Sequence, residues 1–202
     1  MEKLSRSTDK IPLGNVNFSG FSQSKGWVGF FETKKGYSPQ IVDEALRIFH
    51  DFFYSHWDGF FALSSLGYDD QNETDESILS LYGEKYEKAK KEGYLNPVSD
   101  AFESYLYGDV DLPASEVTVH FDRNEFIDIC KLLMMHSGVL GEVFFMINPE
   151  LGVAVYPHQD LGFGIICFGD NYLLCQRFLK SAENGNFRVV IDEGAHSSGG
   201  CS

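Results

Sequence analysis

Two His-x-Asp steps carry the most suggestive chemistry in the chain, His120-Phe121-Asp122 and His158-Gln159-Asp160. With a distant histidine, His158 or His196, the first has the composition of a non-haem iron(II) ligand set. Such a site needs open coordination positions and a cation for an acidic co-substrate, and no arginine follows either distant histidine at a suitable spacing. Asp122 reads instead as the cap of a helix that opens through Asn124 and Glu125. The second step lies in a turn between apolar strands, next to Tyr156. Here His158 could act as a base and Asp160 as its orienting carboxylate in a small-molecule site shared with Tyr156 and His120. No serine or cysteine sits in a nucleophile motif, so a plain polar connection is the competing reading of this turn.

Metals and cofactors are not expected. His50 and His56 fall on either side of a helix end, six residues apart, which is not a zinc spacing. Residues 69–76 have the composition of a calcium loop, but counting from Asp70 an EF-hand needs glycine where Asp75 stands and glutamate where Leu81 stands. No glycine-rich phosphate loop occurs, because the glycines at 162 and 164 lie in a strand and lack a following Lys-Ser/Thr.

Charge is the stronger signal. Thirty acidic against sixteen basic residues give a net charge of −14, which repels a phosphate backbone and argues against nucleic-acid binding. One acidic block comprises Asp69, Asp70, Glu73, Asp75 and Glu76; a second comprises Asp100, Glu103, Asp109, Asp111, Glu116, Asp122, Glu125 and Asp128, opposed only by Arg123. Tyr68, Tyr82, Tyr105 and Tyr107 lie among them. Such a surface either keeps the protein in solution or grips a basic partner, with tyrosines filling pockets amid carboxylates.

These side chains need a scaffold, and 202 residues with 43 % hydrophobic and 15 % aromatic content suffice for a core without staples. The first ten residues lack the apolar stretch of a signal peptide, and no apolar run approaches the ~20 residues of a membrane span. A cytoplasmic location is therefore expected, with Cys130, Cys167 and Cys175 as reduced, buried small hydrophobes and Cys201 in the tail. Short strands are expected at 27–31, 59–63, 116–121, 143–147, 153–156, 162–168 and 187–191. Helices are expected after Ser38-Pro39, over 75–92, after Asn96-Pro97, after Asp122 and after Asp170. Strands joined by short turns rather than regular crossover helices predict an α+β fold, a mainly antiparallel sheet with three to five helices packed on it. Residues 1–25 are expected to be poorly ordered, 26–192 to form one domain and 193–202 a flexible tail.

Asn124-Glu125-Phe126, Phe144-Phe145-Met146-Ile147-Asn148, Val155-Tyr156 and Gly162-Phe163-Gly164-Ile165-Ile166 lie in a helix-plus-hairpin ending that covers roughly a quarter of the chain. With its acidity and its tyrosines, the chain resembles the immunity proteins of bacterial polymorphic-toxin and contact-dependent inhibition systems. The resemblance implies a non-catalytic protein that sequesters a toxin domain, such as a nuclease, and it carries no binding residues across. A deep apolar pocket at Tyr156, His158 and Asp160 would instead favour the small-molecule site.

Overall fold

The computed structural model describes Gly14 and residues 16–192. Its strands are β1 (Trp27–Thr33), β2 (Phe61–Tyr68), β3 (Asn96–Pro97), β4 (Thr118–His120), β5 (Val139–Asn148), β6 (Val153–His158), β7 (Gly162–Cys167) and β8 (Phe187–Ile191). The helices are α1 (Pro39–Phe53), α2 (Glu76–Lys91), α3 (Asp100–Leu106), α4 (Phe126–Met135) and α5 (Tyr172–Ser181). All eight strands join one sheet in the order β3-β2-β5-β6-β7-β1-β8, with β4 also paired to β2. Only β2 and β3 run parallel, so the α+β expectation holds.

Local chemistry fixes the helix starts. Ser38 Oγ accepts from the Ile41 N–H with Pro39 in the first turn, Asp75 accepts from Ser77 N–H, and Ser99 accepts from Phe102 N–H. Ile41, Val42, Ala45, Leu46, Phe49 and Phe53 then turn one face of α1 into the core. There Phe49 stacks on Phe163 at 4.9 Å, and Phe31 meets Phe178 and Phe187 edge to face. All five of these rings are fully buried beneath the helices.

Three expectations need correction. β2 does not begin at Gly59: Tyr54–Gly59 is a 3₁₀ turn, and the strand runs on through Ser64 and Ser65, whose polarity masks it in the sequence. Asp122 does not cap α4; its carboxylate closes a turn on Asn124 N–H at 3.1 Å, and the helix starts at Phe126 without a side-chain cap. Asp170 likewise does not cap α5, whose N-cap position is Asn171.

The opposite face of the sheet carries a smaller core of Leu63, Val143, Phe145, Ile147, Ala154, Tyr156 and Ile166. No long helix covers it. Two irregular segments do: residues 16–24, with buried Val16 and the turn Phe21–Gln23, and the stretch bearing Tyr105, Leu112 and Val117. Within 16–24, Ser24 Oγ accepts from the Asn17 N–H. Residues 1–13, the 193–202 tail, His196 and Cys201 lie outside the described residues.

Candidate functional site: an aromatic groove beside an acidic strip

Between the two covering segments lies a groove of about 700 Å³. Phe18, Phe21, Trp27, Phe30, Tyr105 and Tyr156 wall it, and its inner end reaches Leu133 and Met134. The ladder explains the opening. β5 pairs with β6 only from Met146↔Val155 to Asn148↔Val153, whereas β6 continues along β7 as far as His158↔Gly162. Pro157, which has no N–H to donate, lies in the stretch where the β5 ladder has stopped. Gln159 Nε2 then reaches Glu142 Oε1 at 2.5 Å across the mouth. Buried Tyr156 accepts from Trp27 Nε1 at 2.9 Å, and burial pushes its phenol up to about 12, so it remains neutral.

His158 and Asp160 line this groove, as the sequence suggested. The His158 ring lies parallel to Phe30 at 4.8 Å, and its Nδ1 accepts from Asp160 N–H at 3.2 Å. Asp160 in turn accepts from the Tyr37 hydroxyl at 3.2 Å, and its carbonyl takes the Thr33 N–H. The turn is tight: Leu161 has φ +55°, and a Cβ on Gly162 would meet the Phe31 carbonyl oxygen at 1.8 Å. Sequence reasoning missed Glu32, Tyr37 and Phe30. The available signal was Glu32, an acid directly after the apolar run Trp27-Val28-Gly29-Phe30-Phe31 and in the same strand, which is buried and paired with Arg188.

His120 is not part of this site, contrary to expectation. It lies on β4, beyond β2 and β5 from β6, stacked on Tyr94 at 4.0 Å with Nε2 2.8 Å from Ser64 Oγ. Both residues are buried, and burial lowers the His120 pKa, so this serine–histidine contact is a core hydrogen bond without an orienting carboxylate among the described residues. Cys130, Cys167 and Cys175 are free and buried as expected. The neighbouring Cys175 thiol lowers the pKa of Cys167, whose Sγ lies 3.1 Å from Gly169 O.

The two acidic blocks differ in wiring. Asp70 pairs with Lys90 at 3.0 Å and accepts from Tyr86, Asp69 closes a turn on Gln71 N–H, and Asp75 caps α2. The hydrogen bond from Lys90 holds the Asp70 carboxyl below its ordinary value. Glu73 and Glu76 remain exposed. In the second block Glu125 and Asp128 bind Lys88 and Lys85. By contrast, Asp100, Glu103, Asp109, Asp111, Glu116 and Asp122 have no cation within ion-pair distance among the described residues. No lysine or arginine occurs between 98 and 122. That same stretch exposes Val98, Leu106, Tyr107, Val110, Val119 and Phe121, half of the dozen large hydrophobic side chains that face solvent among the described residues. Tyr107 is 76 % exposed, but Tyr82 is buried in the core and Tyr105 is pinned through its hydroxyl to Phe18 O, so neither is a free anchor.

Comparison with protein-family models, curated proteins and solved structures finds no match for this chain. No described helix is long and apolar enough to cross a membrane.

Proposed function

We propose that this is a non-catalytic, cytoplasmic binding protein that neutralises a basic partner by occlusion, as an immunity protein does a toxin. The observation that carries this reading is the strip over 98–122, where unpaired carboxylates alternate with solvent-facing Leu106, Tyr107, Val110, Val119 and Phe121. Large apolar side chains left exposed among these carboxylates call for a partner. Uncompensated negative charge selects a cationic one and speeds its capture. Asp109, Asp111 and Glu116 would face lysine and arginine of the partner, and Tyr107 would anchor the contact. The first block contributes Glu73 and Glu76 at most, because Asp69, Asp70 and Asp75 already serve the fold.

The test is co-expression with the product of the adjacent gene. The expected result is a co-purifying complex whose association rate falls steeply with salt and drops roughly tenfold in Asp109→Lys/Asp111→Lys. Absence of a complex, or one indifferent to both substitutions, would overturn the proposal.

A second reading is favoured by one observation, the aromatic groove at Tyr156, His158 and Asp160. Its size suits a small organic ligand. Trp27 in its wall reports occupancy: ligands that bind there change Trp27 fluorescence in wild type and lose affinity in Tyr156→Ala. A screen in which no compound perturbs Trp27 would remove this reading.

A further inference from the structure

The sequence offers no metal spacing, but the fold brings together three donors that are far apart in the chain. Glu32 of β1, His158 at the end of β6 and Asp160 in the following turn each offer a ligand atom, and these atoms lie within 4.8 Å of one another. We propose that Glu32, His158 and Asp160 form a binding site for a first-row divalent transition-metal ion at the rim of the groove.

Burial argues for a bound cation. The Glu32 side chain is 6 % exposed, and its cationic partner among the described residues, Arg188, is itself 65 % exposed. With Asp160, whose Oδ2 lies 3.6 Å from His158 Nδ1, two carboxylates face one imidazole. Arg188 offsets the charge of Glu32 alone, which leaves the Asp160 carboxylate and the His158 imidazole to attract a cation. One imidazole nitrogen with two carboxylate oxygens suits manganese, iron, cobalt, nickel or zinc, whereas calcium and magnesium prefer all-oxygen shells.

The surroundings hold these donors in place, as supporting groups around metal ligands do. Phe30 stacks on His158 at 4.8 Å with an interplanar angle of 1°, which sets the ring orientation. The Tyr37 hydroxyl donates to Asp160 Oδ1, leaving Oδ2 for the ion. Thr33 N–H to Asp160 O ties the turn to β1, so the Glu32 and Asp160 backbones cannot drift apart. Three protein ligands leave coordination positions open, and His158 and Asp160 also line the groove.

The experiment titrates the untagged full-length chain with Co²⁺ alone, followed by its visible spectrum, and then displaces it with Zn²⁺. The expected result is one equivalent bound with a weak oxygen/nitrogen-type spectrum. Affinity should fall at least tenfold in His158→Ala and in Asp160→Asn, and roughly tenfold in Tyr37→Phe. Asp160 is exposed, so Asp160→Asn keeps the test open if Glu32→Gln, which also strands Arg188, fails to fold. His50→Ala, at a histidine outside the cluster, should leave binding unchanged. Three results would overturn the site: no Co²⁺ bound; binding that survives both His158→Ala and Asp160→Asn; or intense thiolate-to-cobalt bands, which would place the ion at Cys167 and Cys175.

Discussion

The acidic segments at 69–76 and 98–122 look alike in composition, yet one is built into the fold and the other is not. In the first, Lys90 lies on α2 one turn beyond Tyr86 on the same face, and it reaches Asp70 while its ammonium sits 4.6 Å from the Tyr68 ring centre. Tyr86 shares its hydroxyl between Asp70 and Gly138 O and stacks on buried His136 at 4.1 Å. In the second, backbone turns and a few apolar anchors hold the chain, and no lysine or arginine pairs with its carboxylates among the described residues, Asp122 closing only a local turn on Asn124. Negative charge can therefore be structural or available, and the difference is whether a neighbouring element brings a cation to it.

The largest effect should come from releasing the second segment. Phe102 is 3 % exposed and lies so close to β2 that a Cβ on Gly67 would approach its ring to 2.7 Å. Phe102→Ala should cost about 3 kcal/mol in chemical denaturation. Proteolysis should then cut first within 98–122; if the cuts fall elsewhere, α3 does not moor the strip.

A smaller loss is expected in the first segment. Tyr86→Phe leaves the Gly138 carbonyl without this donor and Asp70 with Lys90 alone, at a cost of about 1–2 kcal/mol. A neutral outcome would mean that this block is no more structural than the other.

Each segment also has a buried histidine behind it, His136 for the first and His120 for the second. Burial lowers both pKa values from 6.5; nearby Asp70 and Glu87 oppose the shift at His136. Below pH ~6.5 the unfolded chain binds more protons than the folded one, so the stability these neutral rings confer is complete above that pH and is lost as pH falls. Thermal melts should show Tm dropping between about pH 7 and pH 5. His136→Phe should flatten that slope, and an unchanged slope would exclude His136 as a source.

The smallest effect on stability belongs to Asp109→Lys/Asp111→Lys, within about 0.5 kcal/mol of wild type because no contact is lost. A larger destabilisation would show that these carboxylates support the fold after all and would erase the contrast between the segments.

Much of the scaffold was legible in the sequence. Ser38-Pro39 marks the start of α1 and Asp75 that of α2, because a side-chain oxygen there can take a first-turn N–H; the helix after Asn96-Pro97 was expected, but its Ser99 cap was not. The β5–β6–β7 meander was equally plain from its apolar runs. Asp122 misled because the same oxygen can satisfy an isolated turn, and sequence does not distinguish the two uses; at Asp170 the N-cap position falls one residue later, on Asn171. β2 was truncated because Ser64 and Ser65 look like a loop until His120 arrives from β4 to partner Ser64. At the site, His158 and Asp160 were identified two residues apart. Glu32 was not, since it joins them only through the pairing of β1 with β7.

By itself the sequence determined the local pieces: which segments are helical or extended, which side chains are apolar enough to be buried, and that the surface is strongly negative. Those properties depend on neighbours a few residues apart and on composition. Tertiary structure decided which carboxylates meet lysines and which stay free, that His120 and His158 are separated, and that Glu32 lies against His158 and Asp160. Electrostatic partnership is a matter of a few ångströms, and only strand order and register set such distances between residues over a hundred positions apart.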